Sequence, residues 1–145
     1  MDAPRQRFVN AMGDIMATWQ LPRATGRVYG LLMLRAEPAT SEELRGELGL
    51  SAGAVSAAIR ELVAWGLAHT LPQPGSRRYL VEATGGFEQL LAASHERTRA
   101  FIRTLSEAEA LTEGEPARQR LRDVTALFAA YVQAGEAVLR AARER

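Results

Sequence analysis

The chain contains no cysteine, which excludes disulfides, thiol redox sensing and cysteine-ligated zinc together. It contains no lysine either, so all 18 cations are arginine. Alongside heavy alanine use, that reads as GC-rich coding, yet arginine's planar fork suits phosphates and guanine edges wherever it meets nucleic acid. Histidine is confined to His69 and His95, which fall in an expected strand and an expected helix as ordinary residues. With no ligand spacing around them, neither a metal nor any other cofactor is expected. No apolar run approaches the roughly 20 residues a membrane helix needs, so no membrane partner is expected. Asp2 and Pro4 precede Arg5 with no apolar stretch and cleavage site behind them, so no signal peptide is expected and the cytoplasm is the expected location. Nucleophile, base and orienting group do not cluster at any recognisable motif, and no glycine-rich phosphate loop is present. No enzyme is expected.

What is present suits a soluble globular protein of one domain, with or without helical extensions: 145 residues, 47% apolar and 24% charged. The net charge of +1 is silent about nucleic acid.

Apolar spacing predicts a helix over residues 5–19, with Phe8, Met12, Ile15, Met16 and Trp19 on one stripe. Pro22 suits the first turn of a second helix running to about Arg35. Thr40 and Glu43 form a capping-box pattern ahead of a short helix carrying Leu44 and Leu48, which Gly49 stops. Ser51 then caps another helix, with Leu50 and Val55 as a hydrophobic staple, continuing through Ile59 and Leu62 to Trp65 and Gly66. Two short helices around a glycine-containing turn make a helix-turn-helix. Alternation predicts strands over 67–71 and 77–82 about the turn-rich Pro72–Ser76. A helix-turn-helix followed at once by a hairpin is a winged helix.

Gly85 and Gly86 mark a boundary. A long helix is expected from Phe87, fraying near 106–112, and a last one from about Ala117 with Leu121, Val124, Phe128, Tyr131, Gly135, Val138 and Ala142 as its stripe, widened by Leu127, Val132 and Leu139. The expected fold is mainly α with a small β-hairpin wing, the winged helix-turn-helix being flanked by dimerisation helices. The expected divisions are 1–20 (N-terminal dimerisation helix), 21–85 (DNA-binding domain) and 86–145 (C-terminal dimerisation region).

The outer face of the helix after Ser51 carries Ala52, Gly53, Ser56, Ala57 and Arg60. Small side chains there let a helix lie close to base edges in a major groove about 12 Å wide. Arg77 and Arg78 follow the hairpin tip, where an arginine can enter the minor groove. Tyr79 and Val81 share Arg77's parity, and Leu80 and Glu82 share Arg78's. Apolar count alone therefore turns Arg77 to the core. Twist at the tip loosens that rule. Ser51, Ala52, Gly53, Ser56, Ala57, Arg60, Arg77 and Arg78 are the expected DNA-binding set. Phe8, Met12, Leu121, Val124, Phe128, Tyr131 and Val138 are expected to pair two copies, because these stripes exceed what a small winged domain can cover. Aromatics on such stripes read as core or interface rather than as a box for a cationic ligand.

Residues 20–85 resemble the MarR superfamily and, more specifically, its GbsR-like branch. The resemblance is carried by Leu21-Pro22-Arg23, Gly26-Arg27, Tyr29-Gly30-Leu31-Leu32, Ser41-Glu42-Glu43-Leu44, Leu50-Ser51-Ala52-Gly53-Ala54-Val55-Ser56, Trp65-Gly66-Leu67 and Pro74-Gly75-Ser76-Arg77-Arg78-Tyr79. It implies a homodimeric repressor whose winged domains meet adjacent major grooves of a pseudo-palindromic double-stranded operator, often relieved by a small-molecule effector. It also favours Arg77 as the minor-groove residue and leaves Arg78 to pair with a carboxylate or phosphate. An effector is expected in an apolar cleft around Trp19, Tyr29, Phe87 and Leu91. Ala52 departs from the family, which often has lysine there. The alternative is a winged-helix protein-interaction module of a chromosome-maintenance or replication complex; a small-molecule carrier or enzyme built on the helical parts is weaker.

Overall fold

A computed structural model describes Met1–Arg145. The chain is mostly helical with one antiparallel two-stranded hairpin, the architecture its periodicities predict. It divides into two compact units, Met1–Phe87 and Glu88–Arg145.

In the first unit, α1 (Ala3–Ala17) begins at Asp2, whose carboxylate accepts the Arg5 backbone N–H at 2.9 Å. It ends before Trp19 because the N–H groups of Thr18, Trp19 and Gln20 turn back to carbonyls three residues earlier, and Gln20 adopts φ +70°. The buried face of α1 is Val9, Gly13 and Met16, which shares only Met16 with the expected stripe. Phe8 and Met12 sit half-buried at its edge, and Ile15 is exposed. The shift has a steric cause. α1 crosses α2 (Arg23–Leu34) where glycines face one another, and a Cβ on Gly26 would stand 2.6 Å from the Met12 carbonyl oxygen. Glycine on both helices brings the backbones together, so the residues flanking that point are the ones covered.

Helix α3 (Ser41–Leu48) has the full capping box: Thr40 accepts from the Glu43 backbone at 3.1 Å, and the Glu43 carboxylate reaches the Thr40 N–H. Gly49 ends it at φ +66°, a left-handed conformation that favours glycine. Helix α4 (Ala52–Ala64) follows directly and buries Val55, Ala58, Ile59 and Leu62.

Strands β1 (Ala68–Pro72) and β2 (Tyr79–Ala83) pair with Ala68 opposite Ala83 and Pro72 opposite Tyr79. The second strand starts two residues later than expected. The Ser76 hydroxyl takes the Arg78 backbone N–H at 3.0 Å, which holds the chain in a turn through Arg78. Ala39 makes an isolated antiparallel bridge to Val81, with bonds of 2.8 and 2.9 Å, and so ties the hairpin to the segment before α3. One paired residue after a proline has no alternation to betray it in sequence.

The second unit is a helical pair, α5 (Glu88–Ala108) and α6 (Glu115–Arg143), joined through a 3₁₀ turn at Glu109–Leu111. α6 starts before the expected Ala117 because Pro116 belongs to its first turn, where a missing N–H costs nothing. Its inner seam runs through Leu121, Thr125, Phe128, Val132, Gly135 and Leu139, all buried or half-buried, whereas Val124, Leu127, Tyr131 and Val138 are exposed. The stripe read from sequence shares Leu121, Phe128 and Gly135 with this seam, and Val132 and Leu139 of its widening, but its members Val124, Tyr131 and Val138 each stand one position before the residue the chain covers. His95 of α5 lies over Gly135; a Cβ there would fall 2.5 Å from its Nε2. No helix is long and apolar enough to cross a membrane.

Candidate nucleic-acid interface

The turn between α3 and α4 sets the geometry. Gly49 and Leu50 both return their N–H groups to the Arg45 carbonyl, at 2.8 and 3.3 Å, and the chain reverses within three residues. Ser51 then caps α4, its hydroxyl accepting the Ala54 N–H at 3.1 Å. With Val55, Ile59 and Leu62 pinned in the core, the opposite face of α4 must point outward. Ser51, Ala52, Gly53, Ala57 and Arg60 are exposed on it and Ser56 is half-buried. A Cβ on Gly53 would meet nothing within 4 Å, so this end of the face is flat and unobstructed. Arg60 donates to the Ser56 hydroxyl at 2.7 Å and pairs with no carboxylate, which leaves its charge available to a ligand.

At the hairpin tip, Gly75 takes φ +73° and the following arginines lie outside the strand. Strand alternation therefore does not reach them, although Val81 is buried as the parity argument requires. The two arginines differ. Arg78 lies 3.4 Å from the Glu42 carboxylate of α3, whereas Arg77 is exposed and forms no ion pair. Across the hairpin, His69 and Glu82 pair at 2.6 Å between exposed side chains.

Three of the expected effector-cleft residues converge. Phe87 packs edge-on to Trp19 and to Tyr29, with ring centroids 5.9 and 5.5 Å apart. The Tyr29 hydroxyl donates to the Thr84 carbonyl at 2.8 Å, and burial pushes its pKa up. Beside Tyr29, a cavity of about 270 Å³ is lined by Leu32, Met33, Arg35 and Glu82 among others. Leu91 belongs to the second unit, where it lines an apolar groove of about 290 Å³ with Tyr131, Gly135 and Val138.

Among the residues expected to pair two copies, Phe128 is half-buried against Phe101, centroids 5.1 Å apart, and Leu121 is half-buried too. Tyr131 and Val138 are 68% and 62% exposed, and Leu127 equals Tyr131. Sequence reasoning missed Arg27, whose guanidinium meets the α3–α4 turn, and Glu42, whose contact with Arg78 joins residues far apart in the chain. Neither pairing leaves a local signal.

The pattern of the MarR family matches residues 19–78. The chain is 34% identical over 129 residues to the HTH-type transcriptional regulator MmpR5 of Mycobacterium tuberculosis, covering 84% of this chain and 76% of that one. The chain belongs to the MarR family. Over 84 residues it is 25% identical to the HTH-type transcriptional repressor OpcR of Bacillus subtilis, a match that spans 58% of this chain and 45% of OpcR. The crystal structure of a transcriptional regulator aligns with a TM-score of 0.60 at 28% identity, over 98% of this chain and 99% of that one. MarR proteins are DNA-binding transcription regulators rather than enzymes, which makes DNA-bound regulation the function of this chain and disfavours the protein-interaction alternative.

Proposed function

We propose that this MarR protein is a homodimeric repressor, of the GbsR-like branch, acting on a pseudo-palindromic operator. In this reading α4 lies in the major groove, Arg77 enters the flanking minor groove, and a small-molecule effector relieves binding. The observation that carries it is the outer face of α4: exposed Ser51, Ala52, Gly53 and Ala57 beside an Arg60 free of any carboxylate. A face so flat admits close approach to base edges, and its one long side chain is the type best suited to guanine. The Ala52 side chain supplies no phosphate contact, so Arg77 at the wing carries more of the electrostatic load.

The dimer is supported by apolar side chains that the chain leaves in solvent on α6, with Leu127, Tyr131 and Val138 each more than three-fifths exposed. Two copies then place their α4 helices in half-sites about 34 Å apart. Effector relief is supported by the aromatic cluster of Trp19, Tyr29 and Phe87 with the cavity beside Tyr29, and it requires the ligand to favour one spacing of the two winged domains. Without cysteine the effector is neither an oxidant nor a thiol-reactive metal. Footprinting on the DNA upstream of its own coding sequence tests the reading. Two protected patches one helical turn apart support it; an unprotected fragment at micromolar protein counts against it.

A further inference from the structure

The geometry points to Arg27 as the positioning residue for helix α4, a strut that fixes the turn from which that helix starts. Arg27 lies on α2, and its Nη2 donates to the carbonyl of Leu48, 21 residues away, at 3.2 Å. Leu48 is the last residue of α3, where helix carbonyls lack intrahelical partners and the helix dipole is negative. A guanidinium there satisfies a free acceptor and the dipole together. Three residues further on, Ser51 caps α4.

The stem of Arg27 is held as firmly as its head. Its Cγ lies 2.9 Å from where a Cβ of Gly13 would stand, so the missing side chain of Gly13 is what gives the stem its channel beneath α1. The Nε of Arg27 is buried and has no hydrogen-bond partner. An unpaired buried donor is destabilising, so the contact with Leu48 is made against a local cost. Arg27 therefore links the crossing of α1 and α2 to the turn that aims the DNA-facing helix. Without it the turn samples other positions, and affinity falls with the fraction of molecules whose α4 is correctly placed.

The inference rests on α4 being the DNA-reading helix, and the test separates the two claims. Arg27→Met keeps the length of the stem in the Gly13 channel but removes the donors and the unpaired Nε. Three quantities are compared with the unaltered protein: amide hydrogen exchange at residues 49–55, melting temperature, and affinity for operator and for unrelated duplex. Exchange at 49–55 is expected to rise while the melting temperature holds or increases. Operator affinity is expected to fall about tenfold, the scale of one hydrogen bond from a charged donor, with a smaller change on unrelated DNA. Arg27→Lys, which keeps the charge and one donor direction, is expected to recover part of both effects and carries the same test should Met at this position fail to fold. Unchanged exchange at 49–55, or affinity lost only in step with melting temperature, overturns the role. If Arg60→Ala and Ala52→Asp leave operator binding intact, the reading of α4 fails instead, and the exchange result still decides whether Arg27 holds the turn.

Discussion

Gly13 occupies the space where a side chain on Gly26 would have to go: a Cβ added at Gly26 would stand 2.8 Å from the Gly13 Cα. Both partners are backbone, so no side chain can swing aside to make room. Gly26→Ala is expected to force α1 and α2 apart and to destabilise by about 1–3 kcal/mol, the usual range for overpacking. Gly46 is the counter-case, an exposed α3 residue with nothing within 4 Å of an added Cβ. Gly46→Ala is expected to stabilise by roughly 0.5–1 kcal/mol through helix propensity alone. Thermal unfolding of both variants checks the pair; equal effects would mean that the helix crossing is looser than described.

The glycine crossing also shows where sequence reading stops. Capping at Thr40 and Ser51, the stop at Gly49 and the hairpin after Gly66 are local events, and each was legible because the signal and the structure lie within a few residues. Only Met16 of the buried face of α1 was legible, because Val9 and Gly13 are selected by glycines on another helix. On α6, a stripe wide enough to serve two surfaces hides which half the chain uses itself; the self-facing seam holds Val132 and Leu139, and Leu127, Tyr131 and Val138 remain outside. The exposed position of Arg60 was legible as one arginine on a face of small residues. Arg27 and Glu42 were not, because their partners lie 21 and 36 positions away.

Arg77 and Arg78 are expected to separate cleanly on DNA. Arg77→Ala should weaken operator binding more, most where flanking A·T tracts narrow the minor groove. Arg78 is tied to Glu42, so Arg78→Ala should cost less, and Glu42→Ala should raise affinity modestly by freeing a cation. Fluorescence anisotropy on the operator and on unrelated duplex provides the comparison. A larger loss from Arg78→Ala with the fold intact would reverse the assignment.

Leu127 and Tyr131 are expected to report on the dimer without disturbing the single chain, since both are largely exposed. Leu127→Glu with Tyr131→Glu should yield folded monomers in sedimentation experiments and abolish operator binding. Phe128→Ala is the contrast, because its ring packs on Phe101 within the α5–α6 pair, so it should lower the melting temperature as well. A dimer that survives both glutamates places the contact elsewhere.

Acid is expected to weaken α3. Burial raises the Glu43 pKa, but the Thr40 backbone N–H and the Arg35 guanidinium outweigh it, and the net shift is below the ordinary 4.5. A carboxylate depressed in the folded state contributes in full above its unfolded pKa, and that contribution disappears as pH falls through the folded value. Glu43→Ala should therefore cost a few tenths to about 1 kcal/mol at pH 7, the side chain being solvent-screened. Parent and variant should converge in stability as the pH is taken below 4.5. A difference that persists unchanged into acid would assign the loss to helix packing rather than to the cap.

Operator affinity as a function of salt, for the parent protein and for Arg60→Ala, decides whether Arg60 on α4 and Arg77 at the hairpin grip a specific duplex. With about six phosphates neutralised per dimer, log affinity is expected to fall against log salt with a slope on the order of −5. Arg60→Ala is expected to leave most of that slope while relaxing preference at one base per half-site by about 1–3 kcal/mol. A flat salt response, or an Arg60→Ala protein with the parent's sequence preference, would mean that these arginines do not read the duplex.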